Sequence, residues 1–373
     1  MKILYVTTVG STMNFFYDLI KELIEEGHEF DIACNENISP VADSFRQLNC
    51  GIYKISCLRK PWSFGNVKAI KEIKKLVMEH NYDIVHCHTP IAAMCTRVAC
   101  RSLRKKNVKV IYTAHGFHFF KGAPLLNWLV YFPIEWVCSF MTDVLVTINN
   151  EDYQISEKRL HAKKNIHVPG VGIDVKKYAD VSIDLVQKRR EINVPEDAVI
   201  LLSVGELIKR KNHSIVFEIL AKLNNPSVHY CLAGRGDLMD DLKAFANTYH
   251  IENRIHFLGF RIDIAELCKA ADIFVFPSIH EGLPVALMEA IASGLPCVAS
   301  DIRGNHELVQ NGVNGYLCDV RSEEEFRVAI EKLIRDKESM GDLRKINLDI
   351  IEPFDITHVN MVMKRIYENV LIS

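Results

Sequence analysis

The chain has 373 residues, 45 Lys and Arg against 47 Asp and Glu, a formal net charge of −2, and 49% hydrophobic and 25% charged residues. That length supports two domains with real cores, and the ordinary composition excludes collagen-like, low-complexity and disulfide-scaffold classes. The near-neutral charge leaves no basic field for capturing nucleic acid.

In chain order, residues 3–7 form an apolar run without a cleavage-like end, which reads as a first strand rather than a signal segment. Residues 13–26 have helical periodicity and stop at Gly27. Strand-like 30–34 and a helix over 67–80 follow, then runs rich in Val, Ile and Thr at 83–88, 108–113 and 143–148. Helical patterns lie between them, the signature of βαβ units and a parallel sheet. The longest apolar stretch, 123–141, contains Asn127, Pro133 and Glu135, which argues against a membrane span, although it is the most membrane-like segment. Pro169, Gly170 and Gly172 cluster between Val168 and Asp174 and suggest a hinge. The second half repeats the alternation, with strands at 198–204, 228–233, 254–258, 273–277 and 296–300 and helices at 212–223, 238–249, 285–293, 323–335 and 356–371.

The expected fold class is α/β: two Rossmann-like, doubly wound parallel-sheet domains facing a central cleft. Their expected bounds are 1–170 and 171–355, with a helix over 356–373 packing back on the first. The 11 cysteines are scattered without CxxC pairs and read as reduced, buried thiols of a cytoplasmic protein. His86 and His88 fall on one face of a strand, but no second ligand pair accompanies them, so no metal is expected.

Several chemistries lack their motifs. Gly234-Arg235-Gly236 supplies two glycines of a dinucleotide fingerprint, but Met239 holds the third position. Neither a GxxxxGK[ST] phosphate loop nor a GxSxG elbow occurs. The informative stretch is 276–290. A strand ends at Pro277, a Glu-Gly-Leu-Pro turn follows, and a helix begins near Val285. Gly282 lets backbone approach a ligand closely and Pro284 suits the edge of a helix start. Free N–H groups at such a start favour an anionic or hydroxyl-rich ligand. Glu281 in the turn and Glu289 in the helix can each accept paired hydroxyl hydrogen bonds, as a ribose and a hexose offer.

On these residues the chain resembles the retaining glycosyltransferase family 4, which has the GT-B fold. Glu281 and Glu289 match its Glu-x7-Glu motif, residues 292–301 its next helix–strand unit, and 311–317 its glycine-turn strand. The resemblance implies that Glu289 holds the donor ribose, Glu281 contacts the donor hexose, and backbone near Gly282, Leu283 and Pro284 touches sugar or diphosphate. The segment 204–212 is where the family places basic side chains beside the donor diphosphate. Lys211, expected at a helix start, is the phosphate candidate there. Glu206 stands where an arginine often follows the glycine, which leaves open whether Arg210 takes over. Gly10-Ser11-Thr12 resembles the family's glycine loop without its paired glycine. By the same resemblance residues 1–170 bind the acceptor and 171–355 the nucleotide sugar, and His115, at the end of a strand, lies by the donor hexose and reaction centre, with His118 as a further candidate; Arg235 and Arg261 are the weaker basic candidates on the donor side, Arg261 bordering a base pocket. The catalytic set is therefore His115, Lys211 and Glu281, and the donor-binding set Gly10, Arg210, Lys211, Glu281, Gly282, Leu283, Pro284 and Glu289.

Residues 115–128 and 301–307 resemble the capsular and exopolysaccharide subgroup. This implies a UDP-sugar donor, a polyprenyl-diphosphate-linked saccharide acceptor, and an aromatic lip with Lys121 against the cytoplasmic membrane face. The donor is a substrate, and neither a cofactor nor a metal is expected. A UDP-sugar epimerase on the same architecture and a non-catalytic sugar-nucleotide-binding protein are the alternative readings.

Overall fold

Short runs of Val, Ile, Leu and Tyr, buried on both faces, set the strands, as parallel sheets covered by helices require. A computed structural model describes residues 1–223, 225–335 and 343–372. The chain divides into two units: Met1–Val171 with the chain from His358 onward, and Gly172–Thr357.

The first unit holds β1 (Lys2–Val6), β2 (Glu29–Cys34), β3 (Gly51–Lys54), β4 (Ile84–His88), β5 (Lys109–Ala114), β6 (Val144–Thr147) and β7 (Lys164–His167). They form one parallel sheet in the order β3-β2-β1-β4-β5-β6-β7. The order reverses between β1 and β4. On one face Phe64–His80, Pro90–Cys100 and Leu125–Ser139 cover a core that includes Leu76, Val85, Val110 and Phe119. On the other, Tyr17–Glu25 and the C-terminal helix Ile356–Ile372 bury Ile20, Met363 and Tyr367 with Ile3 and Tyr5. The helix expected from residue 13 begins instead as a 3-10 turn, Gly10–Phe16, and becomes α-helical at Tyr17.

The second unit holds β8 (Val199–Val204), β9 (Val228–Ala233), β10 (Ile255–Gly259), β11 (Ile273–Phe276), β12 (Cys297–Ser300) and β13 (Gly315–Cys318). The parallel order is β10-β9-β8-β11-β12-β13, with its reversal between β8 and β11. Ser214–Lys222, Met239–Thr248 and Glu323–Arg335 bury Phe217, Leu242 and Ile330 against Leu201, Tyr230 and Val275. The Gly234-Arg235-Gly236 segment has a packing reason for its first glycine, since a Cβ on Gly234 would fall 1.8 Å from the Gly205 carbonyl oxygen.

Both units are thus doubly wound parallel α/β sheets. All eleven cysteines are buried and free. Among the described residues no helix is long and apolar enough to cross a membrane.

Candidate active site

Ligands of open α/β sheets bind at the carboxyl ends of the strands, where the strand order reverses. In the second unit that point lies beyond Val204 of β8 and Phe276 of β11, and the basic and acidic candidates meet there. Glu281 Oε1 accepts from Lys211 Nζ at 2.8 Å and from Arg210 Nη1 at 2.6 Å. Arg210 Nη1 also donates to the His280 carbonyl at 2.9 Å, and the Arg210 carbonyl accepts from Ile279 N at 2.8 Å. The two loops are therefore laced together by backbone as well as charge. Lys211 Nζ lies 4.7 Å from the centre of the Phe276 ring. Burial works against the Glu281 carboxylate, but the Lys211 and Arg210 charges and hydrogen bonds outweigh it and hold the pKa below the usual glutamate value. Two cations on one carboxylate leave a net charge of about +1 at the strand ends, an arrangement that attracts an anion.

The turn itself is held from the 301–307 segment. Arg303 Nε donates to the Glu281 carbonyl at 3.2 Å. Gly304 has φ +76°, and a Cβ there would lie 2.2 Å from the Gly282 carbonyl oxygen. A glycine is needed for the chain to pass so close in that conformation. Leu283 and Pro284 are buried, and Pro284 caps the helix Val285–Ala292. Glu289, within that helix, accepts a hydrogen bond from the Tyr178 hydroxyl at 2.5 Å. Burial raises the Glu289 pKa, with the Tyr178 bond and the Lys177 charge pulling the other way. Tyr178 and Arg303 are the positioning side chains that sequence reasoning missed. Tyr178 gave no signal, sitting in a polar stretch far from Glu289, whereas Arg303 lies in the 301–307 segment that resembles the exopolysaccharide subgroup.

In the first unit, His115 follows β5 and is half-buried. Its Nε2 lies 3.1 Å from His88 Nδ1, and the His86 and His88 rings share one face of β4 with centroids 4.2 Å apart. His86 Nδ1 meets the Tyr367 hydroxyl at 2.8 Å and its Nε2 the Thr113 hydroxyl at 2.7 Å, and Tyr367 bonds Tyr5 in turn. Burial keeps all three imidazoles neutral: it lowers His115 to about 4, His86 to about 3, and His88 well below its ordinary value. Gly10 starts the 3-10 turn after β1, where a Cβ would lie 2.4 Å from the Val41 nitrogen. Its absent side chain thus serves close packing of the loop at 40–41.

One expectation requires correction, and the further candidates take these places. Lys211 does not start a helix: it ends a 3-10 turn, Lys209–Lys211, Asn212 takes φ +53°, and the helix begins at Ser214. Arg261 belongs to a structural ion cluster, bonded to Asp263 and Glu191, with Lys188 on the same two carboxylates. Arg235 lies over the Phe260 ring, 5.9 Å from its centre. Glu206 is exposed, and only its carbonyl is engaged by His213. Among the described residues no group of three His, Cys, Asp or Glu is placed to hold a metal ion.

Residues 186–347 match the family described as glycosyl transferases group 1, and residues 2–148 match glycosyl transferase 4-like. EpsD of Bacillus subtilis (strain 168), itself assigned as a glycosyltransferase, is 35% identical over 344 residues, 90% of this chain and 88% of its own. The chain belongs to glycosyltransferase family 4. A second relative of this glycosyltransferase is the Escherichia coli UDP-Gal:alpha-D-GlcNAc-diphosphoundecaprenol alpha-1,3-galactosyltransferase. It is 29% identical over 358 residues, 94% of this chain and 92% of its own. The fold is that of HepE from Anabaena, solved in complex with UDP-glucose, with a TM-score of 0.82 at 20% identity over 99% of this chain and 100% of that one.

Proposed function

We propose that this glycosyltransferase moves a hexose or N-acetylhexosamine from a UDP-sugar to a polyprenyl-diphosphate-linked saccharide, with retention at the anomeric carbon, in capsule, exopolysaccharide or O-antigen synthesis. The observation that carries the reading is the convergence of Lys211 and Arg210 on Glu281 at the second sheet's switch point. A nucleoside diphosphate arriving there meets two cations, and Glu281, as it is released from them, is free to accept hexose hydroxyls. Glu289 accepts the ribose hydroxyls, with Tyr178 orienting its carboxylate. The choice of UDP is supported by the UDP-Gal-dependent Escherichia coli relative, and the lipid-linked acceptor by the same protein's name.

In the reaction, the bond from the anomeric carbon to the diphosphate oxygen breaks and the acceptor oxygen bonds to the same face of the sugar. The acceptor proton passes to the departing phosphate oxygen. Lys211 and Arg210 stabilise the charge that grows on that oxygen, so the step is written without a protein nucleophile. Neutral His115, with Nε2 engaged by His88, offers Nδ1 to a donor-sugar hydroxyl.

Membrane contact belongs to the same reading. Along Leu125–Ser139 and its C-cap, Leu125, Leu126, Leu129, Trp136, Val137 and Phe140 are exposed. The helix's one acidic residue, Glu135, is buried against Arg97. An apolar stripe of this kind lies in a bilayer interface. The test is a donor panel assayed with membrane-derived lipid-linked acceptors, beside calorimetric titrations with UDP and GDP. Transfer from UDP-sugars and tighter binding of UDP are expected. No nucleotide binding at millimolar concentration would end the proposal.

A further inference from the structure

The first sheet reverses its strand order between β1 and β4, and His88 closes β4 there. Thr89, the next residue, takes φ +63°, a backbone conformation that β-branched residues rarely adopt. It is held from the loop after β1: the Thr8 nitrogen donates to Thr89 Oγ1 at 3.2 Å, and the two hydroxyl oxygens stand 2.8 Å apart. Pro90 then opens the helix Pro90–Cys100. The His88 ring packs on three others, with centroids 4.2 Å from His86, 4.4 Å from Phe16 and 4.7 Å from Tyr5. A pinned backbone on one side and packed rings on the others leave this imidazole little freedom.

Its two nitrogens meet different surroundings. Nδ1 lies 3.1 Å from His115 Nε2, whereas Nε2 is buried and has no hydrogen-bond partner among the described residues. Burial keeps both rings neutral, so the pair carries two N–H protons on four nitrogens. One proton lies in the bond between the rings. The other has two seats. If His115 donates across the bond, the second proton sits on His88 Nε2; if His88 donates, it sits on His115 Nδ1. Nothing beside His88 Nε2 accepts a hydrogen bond, and buried N–H groups without an acceptor are rarer in folded proteins than acceptors short of a donor. His115 is only half-buried, and its Nδ1 is not sealed in the same way.

We infer that His88 is a positioning residue: it donates from Nδ1 to His115 Nε2 and so fixes His115 as the Nδ1–H tautomer, a hydrogen-bond donor to an oxygen of the donor sugar. The inference rests on the place proposed above for His115 beside that sugar, and it goes beyond it by assigning the proton and the residue that sets it. The bond made by one ring nitrogen decides what the other can offer. A His88 that only filled space would leave both tautomers of His115 open. With His88 as donor, His115 Nε2 is committed as acceptor, and Nδ1 always carries the proton.

Long-range proton–nitrogen NMR of the full chain with isotope-labelled histidine, at pH 7, reads both rings, and the spectra of His88→Asn and His115→Gln assign the signals. Both rings should show a protonated Nδ1 and a bare Nε2. In His88→Asn the amide nitrogen stands where Nδ1 stood and still donates, so His115 should keep its Nδ1–H and most of kcat should be retained. In His88→Leu the donor is gone: His115 should populate both tautomers, and kcat should fall by about tenfold, as loss of one buried hydrogen bond does. Calorimetric melting shows which variants are folded, and the wild-type spectrum is decisive without them. A protonated Nε2 on His115 in the wild-type protein, or equal kcat in folded His88→Asn and His88→Leu, would overturn the inference. Wild-type turnover in His115→Ala, with the tautomers as expected, would instead count against the place proposed for His115 beside the donor.

Discussion

Lys211→Ala separates the chemistry of the donor site from its folding. The ammonium lies 2.8 Å from Glu281 Oε1, and its side chain is only 11% exposed. At an effective dielectric of about 20, two charges at that distance interact by roughly 6 kcal/mol before desolvation is subtracted. Little of this is lost from folding, because Arg210 holds the same oxygen from 2.6 Å and keeps the carboxylate partnered. A stability loss of about 1–2 kcal/mol is expected, the range of one charge-assisted bond net of solvation. In the reaction the ammonium faces charge that appears on the leaving diphosphate, and removing a comparable donor raises a barrier by about 2–4 kcal/mol. At about 1.4 kcal/mol per decade, kcat falls by about 30- to 700-fold. Single-turnover transfer at saturating UDP-sugar measures the effect, with calorimetric melting to show that the variant is folded. Lys211→Arg should recover part of the rate. An unchanged kcat in a folded Lys211→Ala protein would remove Lys211 from the mechanism and refute the reasoning.

Glu135→Ala should lower stability by about 3–5 kcal/mol, read as a fall in Tm, because it strands the buried Arg97 that now bonds it at 2.7 and 3.0 Å; the double replacement Arg97→Met with Glu135→Leu should recover most of the loss. UDP affinity should rise as pH rises through the raised pKa of Glu289, since the carboxylate accepts ribose hydroxyls on both oxygens and with charge, which the protonated acid does not. Tyr178→Phe should move that midpoint higher, because the lost hydrogen bond is one of the interactions that lowers it, and titration calorimetry across pH reads both. Stability of the first unit should fall as pH drops from about 6.5, the usual histidine value, towards 4: His86 and His115 have folded values of about 3 and about 4, so the unfolded chain takes up their protons first. Urea midpoints at stepped pH test this, and a midpoint that does not move between pH 7 and pH 5 would argue against neutral, buried imidazoles.

Much of this was readable before any coordinates. The central strands were, because burial on both faces favours continuous apolar runs, as in Ile273–Phe276 and in β1 from Ile3 to Val6. The edge strands β3 and β7 were not. Gly51–Lys54 and Lys164–His167 are four residues long, partly exposed, and carry polar side chains like the loops around them. Within the candidate site, Glu281 was singled out by the turn that follows a strand and precedes a helix, and Arg210 and Lys211 by the resemblance to the family. Tyr178 was not, because its partner Glu289 is 111 residues away and nothing local marks a tyrosine as a carboxylate's anchor. The reading of 123–141 shows a different limit. Periodicity does not tell a helix buried on one face and apolar on the other from one buried throughout. Only the packing of Trp128, Tyr131 and Phe132 on the core shows that Leu125, Leu129 and Val137 face outward.

The two switch points share a topology and differ in charge, and on the proposed reading the difference follows the ligands. A diphosphate leaving group gathers negative charge, and the second sheet presents Lys211 and Arg210 there. An acceptor hydroxyl and a neutral hexose gather almost none, and at its strand ends the first sheet presents threonine hydroxyls and histidines that burial keeps unprotonated. A cationic His115 would lose its lone pair and could only donate, whereas the neutral ring can accept as well as donate, as a sugar hydroxyl requires. The fold supplies two equivalent places for a ligand, and the side chains decide which of them carries charge.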